Sequence, residues 1–176
     1  MKKSLSLWLL GGLTFTAVLG TLFHFLYEWT GIFALAPFCA VNESTWEHMK
    51  ILFFPMLIFA CIQSGFFKKD YPNFGWIKLL GITLGTILIP VLFYTLNGSF
   101  GKTPDWVNIA LFFLSAICAY FVEWLAFRKQ GAAGKASFIP IIILLLIAAA
   151  FVFFTFAPPK LPLFQDPLTG AYGLRT

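Results

Sequence analysis

The sequence predicts an all-α, polytopic transmembrane bundle of five helices. Three observations carry that expectation. Of the 176 residues, 60% are hydrophobic and only 11% are charged, against roughly 25% charged in a soluble domain. The apolar residues fall into five runs of about 20, the length that crosses a bilayer. Most charged residues sit in the short connections between runs, as in a membrane protein oriented by its loops. A net charge of +5 spread this way does not form a nucleic-acid-binding patch. The length suits a single transmembrane domain over 1–176, with the lipid bilayer as its main partner.

The spans are expected at 5–27, 45–67, 76–96, 106–127 and 137–157. The first follows Lys2 and Lys3 and precedes Ala34-Leu35-Ala36, which imitates a signal-peptide cleavage site. Pro37 would follow the cut, and the run is long enough to span, so it reads as an uncleaved helix. The second and third carry Pro55 and Pro90, expected to kink them. Gly81 and Gly85 give the third a Gly-x-x-x-Gly pair suited to a close helix contact. Breaks follow at Asn97-Gly98 through Asp105 and at Arg128 through Lys135. Asp105 offers a negative charge to the fourth helix's N-terminus, and Glu123 near its inner end reads as a snorkelling carboxylate. Pro140 fits the first turn of the fifth span.

Lys2, Lys3, Lys68, Lys69, Lys78, Arg128, Lys129 and Lys135 would lie on one side, and Lys50, Lys102, Lys160 and Arg175 on the other. This places the N-terminus in the cytoplasm, the C-terminus outside and the protein as multi-pass in the cell membrane. All six tryptophans fall near expected helix ends, at headgroup level: Trp8, Trp76 and Trp124 inside, and Trp29, Trp46 and Trp106 outside. Cys39, Cys61 and Cys118 follow no metal or redox spacing. The tail 158–176 is rich in Pro and Gly but also holds Leu163, Phe164 and Tyr172. It is expected to be ordered, non-helical and folded over the outer end of the bundle.

Both histidines lie at the outer junction of the first two spans. His24 precedes the end of the first by about one turn, and His48 follows the start of the second by about one turn. At ~1.5 Å per residue the two imidazoles stand at matching depth. Glu28 is four residues from His24, on the same helical face. The candidate metal ligands are His24, His48 and Glu47; Glu47 and His48 are also the candidate catalytic pair. His24, Glu28, Asn42, Glu43 and Asp166 are candidate binding residues. Imidazoles with carboxylates suit a divalent transition metal such as zinc. The same residues admit a plainer account: Ser44-Thr45-Trp46-Glu47 is a capping box in which Glu47 reaches back to the Ser44 amide, and Lys50 pairs with Glu47 at i, i+3. No His-Glu-x-x-His spacing is present.

Val41-Asn42-Glu43-Ser44-Thr45-Trp46-Glu47-His48, with Lys50 and Phe53-Phe54-Pro55 after it, resembles the signature of a family of small bacterial integral membrane proteins of unknown function. His24-Phe25-x-Tyr27-x-Trp29, Asn97-Gly98 and Asp166-Pro-x-Thr-Gly-x-Tyr-Gly are similar to that family as well, so the likeness spans nearly the whole chain. Cys39-Ala40 stand where the pattern leads one to expect a Ser-Pro type of pair. The resemblance implies a membrane location and no particular activity. Three readings of function stay open: a metal-dependent or acid–base hydrolase embedded in the membrane, a small-solute transporter, and a structural or accessory subunit with a membrane-protein partner or a second copy of itself. The absence of any acid or base between the helix ends weighs against an ion path.

Overall fold

The computed structural model describes residues 2–130 and 137–174. The expected placements of Lys135 and Arg175, and the side chains of Lys2, Lys3 and Asp105, lie outside the described residues. Among the described residues there are five α-helices: α1 (Lys2–Thr30), α2 (Thr45–Phe67), α3 (Phe74–Phe100), α4 (Asp105–Gln130) and α5 (Ile139–Phe156). Each is long and apolar enough to cross a membrane, and the described residues form no β-strand. Single 3₁₀ turns lie at Phe33–Leu35 and Pro162–Phe164.

α2 is the central helix. Of its most apolar stretch 61% is buried, against 22% for α1 and for α5, and it touches α1, α3, α4 and α5. Lipid-facing helices need only one buried stripe; a helix enclosed by four others is apolar all round. Phe53, Leu52 and Met56 of α2, with Phe127 of α4 and Phe151 of α5, are almost completely enclosed.

Glycines set the closest approaches. A Cβ on Gly81 of α3 would fall on the Glu123 side chain, and one on Gly85 on the Ala119 Cβ, both in α4. The Gly-x-x-x-Gly pair is therefore a close α3–α4 contact, as small residues allow. α1 has a comparable stripe that its sequence pattern hid. Gly12 lies against the Phe59 and Tyr120 rings, and Gly20 lies against Phe112 and the Ile51 carbonyl. Between them the Thr16 hydroxyl bonds the Tyr120 hydroxyl at 2.9 Å.

Several expectations from sequence are corrected. α3 runs through Asn97-Gly98 and stops at Gly101, whose φ of 79° ends the helix. The Asn97 side chain serves the turn from within the helix, donating to the Phe93 carbonyl and accepting from the Thr103 amide. Glu123 does not snorkel: it is wholly buried and pairs with Lys78 of α3 at 2.6 Å. Lys78 is thus a core residue and not a loop cation, and the bundle does contain an enclosed acid and base. Trp46 keeps its expected place at the start of α2 and is drawn into the packing there. Its ring lies 4.5 Å from that of Phe151 and 4.7 Å from that of Phe164, inside the packing between α2, α5 and the tail. Lys50 is likewise enclosed. Removing it and Lys78 from the charge count leaves the imbalance between the two sides in the same direction.

Candidate functional site

The segment between α1 and α2 is mostly apolar, turns polar only at Asn42-Glu43-Ser44, and is tied down at several points. The Ala40 amide donates to the Phe23 carbonyl of α1 at 3.0 Å. The Ser44 amide donates to Asn42 Oδ1 at 2.8 Å, forming an Asx turn. Ser44 then caps α2, its hydroxyl accepting from the Glu47 amide.

Half of the expected capping box forms. Glu47 does not reach the Ser44 amide; its Oε2 accepts from the Val41 amide at 3.1 Å and meets Lys50 Nζ at 2.5 Å. Lys50 Nζ donates further to the Ala36 carbonyl and to Thr155 Oγ1 of α5, both at 2.9 Å. An ammonium this deeply enclosed persists only with such a full set of acceptors. The pair joins the loop, α2 and α5 into one polar frame.

His24, Glu43 and His48 converge. Glu43 Oε2 lies 3.7 Å from His24 Nε2 and 3.6 Å from His48 Nε2. One donor atom from each of the three lies within 4.8 Å of the other two. The imidazoles meet edge to face with centroids 5.2 Å apart. His48 Nδ1 sits 2.9 Å from the Ser44 carbonyl. A carbonyl can only accept, so Nδ1 donates to it, and Nε2 is the ring nitrogen turned toward Glu43. All three side chains are partly exposed, so the site is reachable from the end of the bundle.

The other candidates fall elsewhere. Glu47 is held in the polar frame. Glu28 is exposed and has no ion-pair partner among the described residues. Asn42 bridges the loop and the tail, its Nδ2 donating to the Gly173 carbonyl at 3.0 Å. Asp166 is buried in the tail, where its carboxylate accepts from the Leu168 amide at 2.9 Å and the Thr169 hydroxyl at 2.6 Å. The tail packs on Trp46 and Phe154 through Phe164, on the α5 side of α2. Its link to the histidine site runs through Asn42.

Cys39 lies fully buried in the loop. Burial pushes its thiol up to about 11, against the opposing pull of the Lys50 ammonium. A thiol is reactive as thiolate, so at pH 7–8 Cys39 is expected to resist maleimide labelling in folded protein and to label rapidly after unfolding. Mass spectrometry of labelled peptides checks this, and rapid labelling of folded protein would contradict the enclosure.

No curated protein and no solved structure matches the chain. A family model described as a family of unknown function, DUF6512, matches residues 1–174. With its whole described length inside that match, from α1 to the tail bound to Asn42, the chain belongs to this family of unknown function.

Proposed function

We propose that the protein is a multi-pass protein of the cell membrane, with its N-terminus in the cytoplasm, that binds a divalent transition metal at its outer end through His24, Glu43 and His48. Zinc is the first candidate, because two imidazoles and one carboxylate are a common zinc set. The observation that carries the reading is the gap between the three groups. At 3.6 and 3.7 Å the imidazole nitrogens are too far from Glu43 Oε2 to be hydrogen-bonded. Ligands about 2.0–2.1 Å from a tetrahedral zinc stand about 3.3–3.4 Å apart, so each imidazole-to-Glu43 distance is within a few tenths of an ångström of what a shared ion needs, and the two imidazole nitrogens, within 4.8 Å of each other, would close around it. The bond from His48 Nδ1 to the Ser44 carbonyl supports it, being the outer contact that orients metal-binding histidines.

Three protein ligands leave a fourth position for water or substrate, the pattern of catalytic sites. The activity that follows is metal-dependent hydrolysis, in which the ion makes a nucleophile of water near neutral pH. Glu47, charge-paired with Lys50, takes a framework role.

The test is metal analysis of the untagged protein, purified in mild detergent and incubated with zinc. About one zinc per chain is expected, with loss in a His24→Ala, His48→Ala double variant and a marked reduction in Glu43→Gln. Zinc content in the parent no higher than in the double variant would end the reading. The three groups would then be a carboxylate flanked by two imidazoles.

A further inference from the structure

We infer that the C-terminal strap, residues 165–174, sets the position of Glu43 through Asn42, so that strap and metal site are linked. This rests on the metal reading above and adds to it the element that controls affinity.

The strap is a built structure. Gln165 and Tyr172 form an antiparallel bridge. Within it the Asp166 amide donates to the Ala171 carbonyl at 2.9 Å and the Gly170 amide to the Asp166 carbonyl at 2.8 Å. The buried Asp166 carboxylate fixes the turn from inside. Beyond the bridge, the Leu174 amide donates to the Thr155 carbonyl of α5 at 2.9 Å. Gly173 makes this possible: its φ is +63°, and a Cβ there would stand 2.8 Å from the Thr155 carbonyl oxygen. The Gly173 carbonyl is thus held between two anchored residues, and it is this oxygen that accepts from Asn42 Nδ2.

Asn42 precedes the ligand Glu43. Upstream, the loop is fastened to α1 at Ala40 and to Glu47 at Val41; downstream it enters the cap of α2 at Ser44. Across the stretch between them, Asn42 makes two contacts with different jobs. Its Oδ1 holds the local turn to the Ser44 amide, and its Nδ2 holds the turn to the strap. A ligand whose backbone is fixed this way is presented at lower entropic cost. By reciprocity, an ion held by Glu43 must stabilise the strap to the same degree that the strap favours the ion.

Asn42→Asp separates the two jobs. The aspartate keeps an acceptor for the Ser44 amide but offers no donor to the Gly173 carbonyl. Gly173→Ala disturbs the same link from the strap side without touching any ligand. Zinc affinity, measured by competition with a chromophoric chelator, is expected to fall about 10–100-fold in each, as for outer partners of metal ligands. The double variant should lose no more than the worse single one. Hydrogen exchange at the Leu174 amide should slow when zinc is added to the parent protein, but not to Asn42→Asp. If both single variants bind zinc as the parent does, while the His24→Ala, His48→Ala variant does not, the metal site stands and the strap inference is overturned. A parent protein that takes no zinc overturns both.

Discussion

Replacing Lys78 by methionine is expected to destabilise the bundle by about 3–5 kcal/mol, the cost of leaving one partner of a buried ion pair alone. Glu123 has no exposed surface, and its Oε2 bonds Lys78 Nζ at 2.6 Å. The ammonium also stands 5.6–5.9 Å from the ring centroids of Phe74, Tyr120 and Phe127, whose faces favour a cation. Without Lys78 the carboxylate would keep no ionic partner, and Gly81 packs against its other side. The Lys78→Met, Glu123→Met double variant removes both charges at similar volume and is expected to recover most of the loss. Reversible unfolding in mixed detergent measures all three proteins. A single variant within 1 kcal/mol of the parent, or a double variant no better than the single, would refute the charge-pair explanation.

Replacing Lys50 by methionine should have a similar effect on stability, about 3–5 kcal/mol, and a second effect on the site. Lys50 Nζ serves Glu47, the Ala36 carbonyl and the Thr155 hydroxyl together. Its loss strands Glu47 and releases the start of the loop that presents Glu43. A Lys50→Met, Glu47→Leu double variant relieves the stranded charge and should regain stability. It leaves the Val41 amide without the acceptor it has in Glu47, so its zinc affinity should stay below that of the parent. The pair of measurements, unfolding and chelator competition, distinguishes the two roles. Equal recovery of both would show that the frame contributes stability alone.

The five helices were legible because their signal is local. A backbone crossing a bilayer must satisfy its own hydrogen bonds, which demands a helix, and the helix must be apolar for about 20 residues. Apolar length therefore placed α2 at the bounds observed, Thr45–Phe67. Where the apolar run and the helix differ, as at Asn97-Gly98, polarity begins before the backbone turns, because the Asn97 side chain can satisfy the turn from within the helix. The outer site was legible in part. Helix rise gave the matching depth of His24 and His48. The residue pattern put Glu47 with the imidazoles, ahead of Glu28 and Glu43, although all three lie within reach along the chain and are chemically alike; in the fold it is Glu43 that stands beside both rings.

Lys78 and Glu123 illustrate the other limit. Forty-five residues apart, each lies near a helix end and resembles an ordinary interfacial charge. Their union needs the close α3–α4 contact that Gly81 permits.

By itself, then, the amino-acid order determined how many helices form, where they lie and which end gathers the polar groups, since each depends on hydrophobic length and on neighbours a few residues away. Only tertiary structure decided which carboxylate meets the imidazoles. Lys50, with Thr155 from α5 and the Ala36 carbonyl beside it, draws Glu47 into the interior; Glu43, one residue outside the cap of α2, is left facing His24 and His48. In a medium of low dielectric a charge goes where its partners are, and those partners come from distant parts of the chain.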